Sequence, residues 1–525
     1  MPNGAAARNG GRWGIAALVA ILLLGAGLRV GEAWDGRAPV FDAAAYAAIA
    51  KNLDQGNGFT VGADATQPSS DYSPGLPLFV AGIYKVTGGV HERLARIVLA
   101  LIGTLAILFT YLLALRLAAA ALFRNRASDL CSPQGDKGQR VGRGVVEVGN
   151  PQGDQPLQAD PRAVGAALVA ALAVAIYPAT IEYTGMLMTE PLAATLLTGA
   201  ILGLLWAADG TSRGGAGPFP GGRRPGWPRA GRDSAWRWLV PGLTLGALAL
   251  VRPEYLAIGL LLALLVLLHE RFASRPPMSA QEPSDREENR QRTGRSWRRA
   301  LLVGAVVLLG IAVVVVPWTV RNAVALHRFV SVSTGGGQVL YAGTYLPSDG
   351  NPEKVGAAVV AENPDLFGPH AVENLRLEQI LARLAEARHP GEEPDQALSS
   401  MGKEQLKEDV LHHTGEYAEF VAIKIGRIWS HGPRAIMRTP VWEALHWLLL
   451  GLGLLGLAIL AYLRRWEALL IGAVFLAVTL VSALLVASPR RVLVLIPLLS
   501  ACAAVSIPWL AALIPAASDS APGPP

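Results

Sequence analysis

Apolar runs recur along the whole chain, separated by polar or charged stretches. They fall near 13–30, 93–119, 162–180, 185–207, 238–251, 254–270, 300–318, 443–463, 466–487 and 490–514. Most match the roughly 17–25 residues a helix needs to cross about 30 Å of hydrocarbon. The pattern predicts an all-α polytopic membrane protein of about ten transmembrane helices. A β-barrel would show short alternating strands instead. Between the first two runs lies Gly31–Glu92, too polar in its first half to cross a bilayer. Asp42 opens a short amphipathic stretch, AAAYAAIAKNL, with Tyr46, Ile49, Ala50 and Leu53 on one side of a helix. Pro74–Gly88 (PGLPLFVAGIYKVTG) is short, holds two prolines and Lys85, and is expected to lie in the membrane interface. The segment 319–442 is polar by comparison. Its start, RFVSVSTGGGQVLYAGT, reads as two short strands around a glycine turn, and Pro394 to Trp429 reads as helix. A small mixed α/β external region is therefore expected there.

Composition agrees with a membrane protein: 52% of residues are hydrophobic and 16% charged. The net charge of +6 sits mostly in loops, which bears on topology and argues against a nucleic-acid partner. Cys131 falls in a polar loop and Cys502 in an apolar run, so a disulfide between them is not expected. No Cys/His spacing typical of a metal site occurs. The first apolar run, preceded by Arg8 and Arg12, lacks a clear small-x-small cleavage site and reads as an uncleaved span.

Charge orients the chain. The loops 120–161, 208–237 (six Arg) and 271–299 (eight Arg) are basic, and cytoplasmic loops carry such an excess. They share one side with the N-terminus only if Pro74–Gly88 does not cross. Their Gly, Pro, Arg and Ser content predicts disorder. The expected organisation is a cytoplasmic stretch 1–12 and a transmembrane module 13–318 containing the first external loop, 31–92. An external region 319–442, closing helices 443–516 and a disordered tail 517–525 follow. The Asp42 loop is then expected on the external side of the membrane.

Several side chains on that face could carry chemistry. Asp42 suits an N-cap, which is the plainer reading, but it also stands among other external polar residues. Glu190, in MLMTEPLAATLL, lies just inside a span, where an ionisable group is costly and points to function unless it snorkels to the interface. Arg252 (LVRPEYL), Arg321 (VPWTVRNAV) and Arg490 with Arg491 (SPRRVLV) sit at the same face. Guanidinium groups suit bidentate phosphate recognition. One such arginine would be a helix-end anchor; three sites beside two carboxylates make an anion site the better account. Lys85 and His91 flank the interfacial segment and could reach a phosphate or snorkel. Gly335–Gly337 lacks the lysine and spacing of a phosphate loop, and His412 and His413 read as solvated.

The ordered set FDAAAYAAIAKNL, DYSPGLPLFVAGIYKVTGG, YPATIEYTGMLMTEPL, LVRPEYL and VPWTVRNAV resembles the GT-C membrane glycosyltransferases. The branch it is most similar to holds bacterial relatives of dolichyl-phosphate-mannose protein mannosyltransferase and of lipid A aminoarabinose transferase. The resemblance covers most of 13–330 and extends weakly to the last spans. It implies inverting transfer of a sugar from a polyprenyl-phosphate carrier to a lipid, glycan or protein acceptor at the external face. By resemblance, Asp42 takes the catalytic acidic position in the first external loop and Glu190 the acidic position in the fourth span. Arg252 and Arg321 take basic positions near the donor phosphate. Lys85 and Arg490 are further candidates for that phosphate, and Tyr46 and Tyr72 for substrate contact. Many relatives carry two adjacent acids where this chain has Phe41-Asp42-Ala43. No cofactor is therefore expected, and a divalent metal is not predicted. A transporter or flippase for a lipid-linked or anionic solute is the alternative class, with a non-catalytic scaffold behind it.

Overall fold

The computed structural model describes residues 3–36, 38–62, 67–130, 160–209, 236–273, 286–348, 350–351, 353–368, 370–430 and 432–513. Among them the regular structure is helical, with no strand. In chain order the helices are α1 (Asn3–Trp34), α2 (Asp42–Asp54), α3 (Gly75–Thr87), α4 (Glu92–Leu130) and α5 (Pro161–Ile176). Next come α6 (Pro178–Glu182), α7 (Thr189–Asp209), α8 (Trp236–Val251), α9 (Glu254–Ala273) and α10 (Arg286–Leu326). The segment 319–442, expected to be external, holds α11 (Gly336–Thr344), α12 (Val355–Glu362), α13 (Ala371–Asn374), α14 (Leu377–Arg388), α15 (Pro394–His412) and α16 (Thr414–Ser430). The chain closes with α17 (Pro440–Tyr462), α18 (Trp466–Leu484), α19 (Arg490–Leu493) and α20 (Ile496–Leu513).

Seven of these helices are long and apolar enough to cross a membrane, eight if the bent pair of α5 and the segment 178–186 counts as one span. The α8 and α20 segments are shorter apolar helices. Every expected span is thus a helix, although not every one has full spanning length by itself. On α10, Leu301, Leu308, Leu309, Val313, Val316 and Val320 are exposed, which is the face expected to meet lipid rather than water. The 13 residues of α3 extend roughly 20 Å at 1.5 Å per residue, short of the hydrocarbon thickness. That length agrees with an interfacial helix.

Two local features set up the site. The first is the break after α5, which Asp160 caps by accepting from the Arg162 amide and which stops at Tyr177 before Pro178. Proline cannot donate a backbone hydrogen bond, so the last carbonyls of α5 need other partners. Buried Arg29 of α1 supplies them, donating to Val174 O and Ala175 O at 2.9 Å and to Thr180 Oγ1 at 3.0 Å. The 55° bend delivers the chain to the start of α7. The second feature is the docking of the first loop on the end of α8. Ser73 Oγ donates to Val251 O at 2.8 Å, and a Cβ on Gly75 would lie 2.7 Å from the Val251 amide nitrogen. Only glycine permits that approach.

The external region corrects the strand expectation. Phe329–Ser333 is irregular, with bends at Ser331 and Val332, and α10 side chains take its carbonyls. Trp318 Nε1 and Asn322 Nδ2 donate to Val332 O at 2.8 and 3.1 Å, Asn322 also to Val330 O, and Thr319 to Ser331 O at 2.7 Å. The glycine-rich stretch that follows is helical. Gly337, Tyr341 and Thr344 recur at helical spacing on the buried side of α11, and Gly337 packs directly on the Asp395 backbone of α15. A compact core of Tyr341, Val355, Ile380, Leu384 and Leu398 joins α11 to α15. The expected disorder of the three basic loops falls mostly outside the described residues. Where their flanks are described, at the ends of α4 and α10, they continue the helices, as straight-chain Arg, Glu and Gln allow.

Lys424 of α16 ties this region to the spans. Its side chain is 1% exposed, and Nζ donates to Gly343 O of α11 and Ala483 O of α18 at 2.5 Å each. Burial, with a smaller push from Arg491, lowers its pKa from 10.5 to about 7. The folded state therefore binds fewer protons here than the unfolded state between those two values, and stability rises with pH across that window. The thermal midpoint of detergent-solubilised protein should climb from about pH 7 to pH 9.5. Lys424→Met should flatten the climb; an equal slope in the variant would show that other groups cause it.

Candidate active site

Asp42 is not the cap of α2. The cap is Phe41, held at φ 51°, a conformation an L-residue adopts at a cost, and no side chain caps the helix. Asp42 stands in the first turn, where free amides and the helix dipole favour a carboxylate. Its side chain turns to the far end of the chain, where Oδ2 accepts from Arg490 Nη1 at 3.0 Å. The same guanidinium donates through Nε to Glu190 Oε1 at 2.9 Å. Glu190 is itself in the first turn of α7 and only 3% exposed. Arginine 490 thus bridges two carboxylates that lie 148 positions apart.

The chain of charges continues. Arg252 fills the turn between α8 and α9, with Nη1 3.9 Å from Glu190 Oε1 and Nε 3.1 Å from Glu254 Oε1. Its Nη1 is buried and makes no hydrogen bond. Arg491 Nε lies 4.0 Å from the same Glu254 oxygen, and its Nη1 donates to Val486 O at 2.5 Å. The ladder Asp42–Arg490–Glu190–Arg252–Glu254–Arg491 pairs three carboxylates with three guanidiniums. The Tyr183 ring lies 5.8 Å from the Arg490 guanidinium carbon. Beside Glu190 a cavity of about 20 Å³, bounded in part by Arg29, Tyr183 and Leu493, has room for about one water.

Tyr46 and Tyr72 flank the ladder. Their rings meet edge to face, with centroids 5.6 Å apart. Burial first, then the charges of Asp42 and Glu190, raise the Tyr46 hydroxyl above its ordinary value, so it stays a neutral donor. Tyr72 is pushed up to about 12 by burial, then by Glu378 and Asp42. Glu378 belongs to α14, so the external region reaches the edge of the site.

Two expected residues stand apart. Arg321 staples the first loop to α10, with Nη1 donating to Ser69 O at 2.9 Å and Nη2 to Phe59 O at 3.2 Å. Its guanidinium also lies 4.9 Å from the Trp318 ring centroid and 5.5 Å from that of Phe59. Loop carbonyls and aromatic faces occupy it, and no contact joins it to the ladder. Lys85 is exposed in the last turn of α3, also apart from the ladder. Conversely, Glu254 and Tyr183 enter the site although the sequence reading gave them no role. Glu254 was within view, two positions after Arg252 in the stretch LVRPEYL.

Among the described residues no group of three or more His, Cys, Asp or Glu side chains is placed to hold a metal ion. Asp42 and Glu190 both accept from the same guanidinium.

No family model matches the chain, and no curated protein matches it. Among solved structures it is similar to the oligosaccharyltransferase AglB from Archaeoglobus fulgidus in complex with an inhibitory peptide and a dolichol-phosphate. That match has 15% identity and a TM-score of 0.49, over 96% of this chain and 52% of the other. The apo form of the Archaeoglobus fulgidus oligosaccharyltransferase is similar at 14% identity and a TM-score of 0.48, over 94% of this chain and 50% of the other. ArnT from Cupriavidus metallidurans bound to undecaprenyl phosphate is similar at 14% identity and a TM-score of 0.35, over 92% and 77%. The chain spans about half the length of the oligosaccharyltransferases it matches. At such scores the likeness decides nothing about activity, which is argued from the site's own residues.

Removing the central arginine tests the ladder. Arg490→Ala would leave Glu190 buried with only the distant Arg252 Nη1, at a cost of about 3 kcal/mol for a broken part-buried pair. The expected readout is a lower unfolding midpoint in detergent, partly restored by adding Glu190→Gln. A variant as stable as the parent would show that the pairing contributes nothing.

Proposed function

We propose that the protein is an inverting glycosyltransferase that takes a sugar from a polyprenyl-phosphate carrier at the external membrane face. The observation that carries this reading is the convergence of Asp42, Glu190, Arg252 and Arg490 at adjoining helix ends. They come from the first loop, α7, the α8–α9 turn and α19, segments scattered across the sequence. The placement at helix ends suits a donor whose isoprenoid tail stays in lipid and whose phosphate stays at the interface. The basic loops at the opposite ends of the spans support an external, periplasmic orientation in a bacterial inner membrane.

In the proposed reaction an acceptor hydroxyl or amine attacks the anomeric carbon. A new bond forms there as the carbon–oxygen bond to the carrier phosphate breaks, and the electron pair leaves on the phosphate oxygen. Asp42 takes the acceptor's proton as general base. Arg252, with a buried Nη1 already lacking a partner, and Arg490 stabilise the charge gathering on the phosphate. Glu190 holds Arg490 in place. Tyr46, a neutral donor beside Asp42, and Tyr72 line the approach of the sugar or acceptor. A single displacement inverts the anomeric configuration. The acceptor is a lipid, glycan or protein at the same face.

Asp42→Asn keeps the size and one acceptor oxygen but removes the base. It should lower turnover of a lipid-linked sugar by about 10²-fold or more while leaving polyprenyl-phosphate binding within a few-fold. Full transfer by that variant would exclude Asp42 as the base. Arg252→Ala should weaken binding of undecaprenyl phosphate by about 10-fold or more. Unchanged affinity would remove Arg252 from the phosphate site. Translocation of a lipid-linked sugar without its consumption would favour the transporter class over both assignments.

A further inference from the structure

We infer that Glu254 is a positioning residue, whose carboxylate fixes the plane of the Arg252 guanidinium so that its bare Nη1 faces the donor phosphate. This deepens the proposed function and rests on its reading of Arg252 as a phosphate ligand.

The local sequence builds the arrangement. The Arg252 amide closes α8 on Leu248 O at 2.8 Å, Pro253 prevents the helix from continuing, and Tyr255 N returns to Arg252 O at 3.0 Å to open α9. Glu254 therefore falls in the first turn of α9, where free amides and the helix dipole favour its charge. Its Oε1 is shared by Arg252 Nε at 3.1 Å and Arg491 Nε at 4.0 Å. Arg491 is anchored in turn on Val486 O. One oxygen of Glu254 thus faces two guanidiniums, the anchored one of Arg491 and the one of Arg252 to which it is hydrogen-bonded.

A guanidinium is planar, so a hydrogen bond at Nε sets the direction of both terminal nitrogens. With Nε on Glu254, Nη1 points to Glu190 but stops at 3.9 Å, beyond hydrogen-bond range. A buried N–H without a partner is costly, and a structure that keeps one has a reason to. A phosphate oxygen between Glu190, Arg252 and Arg490 would complete it. The ion pair with Glu254 thus works by geometry. By charge alone a carboxylate beside an anion site would oppose phosphate binding.

That opposition makes the inference testable by sign. The probe is undecaprenyl phosphate, titrated into purified full-length protein in detergent. Glu254→Ala removes a negative charge, so an electrostatic role predicts equal or tighter binding. A positioning role predicts binding about 10-fold weaker. Glu254→Gln keeps an oxygen that can accept from Nε and should hold affinity within about 3-fold of the parent or better. In an Arg252→Ala background, Glu254→Ala should change affinity no further, because its effect passes through Arg252. Equal or tighter binding by Glu254→Ala, or an undiminished loss in the Arg252→Ala background, overturns the inference. Should Glu254→Ala fail to fold, Glu254→Asp withdraws the carboxylate from Nε while keeping its charge. It should bind more weakly, and unchanged binding overturns the inference. Arg252→Ala binding as tightly as the parent fails the phosphate reading itself, a different result from any of these.

Discussion

One guanidinium, that of Arg490, holds the arrangement of the site. Glu190 is 3% exposed, and burying a carboxylate at that depth is costly without a close cation. Arg490 supplies it and at the same time reaches Asp42, so the first external loop, the start of α7 and the turn before α20 converge on one side chain. Each of those segments has its own reason to end there. Proline 178 breaks the helix before α7, Pro253 breaks the run between α8 and α9, and Pro489 precedes α19. The chain stops its helices at one level, and the charged residues sit in the gaps.

The scaffold holds those gaps open with arginines of a second kind. Arg29 and Arg321 have no acidic partner in the contacts described; they donate to backbone carbonyls that the fold leaves without amides. Arg29 serves the broken end of α5, and Arg321 the irregular loop around Phe59 and Ser69. In a low-dielectric setting an unsatisfied carbonyl is costly, and a multiply donating side chain can satisfy several at once. The arginines near the site therefore differ by chief partner. Arg252 and Arg490 meet carboxylates in the ladder, whereas Arg29 and Arg321 meet carbonyls and hold the segments that deliver it.

Much of the architecture was legible in the sequence. Apolar runs located every described helix long and apolar enough to cross a membrane, and the length and prolines of Pro74–Gly88 set it apart from them. The acids were legible too, Glu190 because it lies just inside an apolar run and Asp42 because it opens the amphipathic stretch after the first one. The division among the arginines was not legible. Arg252, Arg321 and Arg490 occupy similar positions near helix ends, and only the fold shows which have carbonyls and which have carboxylates within reach. The same limit produced the false strands at 329–344. β-branched residues beside glycines suggested a hairpin, but the irregular segment 329–333 is satisfied by α10 side chains, and Gly337 and Gly343 serve helix packing. Tertiary partners overrode local pattern at both places.

The balance of the ladder bears on how such a site would work. Three carboxylates against three guanidiniums leave it near neutral, with every arginine already facing an acid. On the proposed reading, an arriving phosphate monoanion competes with Asp42 and Glu190 for Arg490, and meets a buried donor without a hydrogen-bond partner at Arg252 Nη1. Competition of that kind holds ground-state binding down. As the bond to the sugar breaks, the phosphate gains negative charge that the carboxylates do not, and the balance shifts toward it in the transition state. An interaction that strengthens only along the reaction raises turnover, whereas equal binding of substrate and transition state does not. The same shift frees Asp42 from Arg490 as the acceptor proton needs a place to go. On the proposed reading, then, a pairing that looks like static stabilisation also suits the timing of the chemistry.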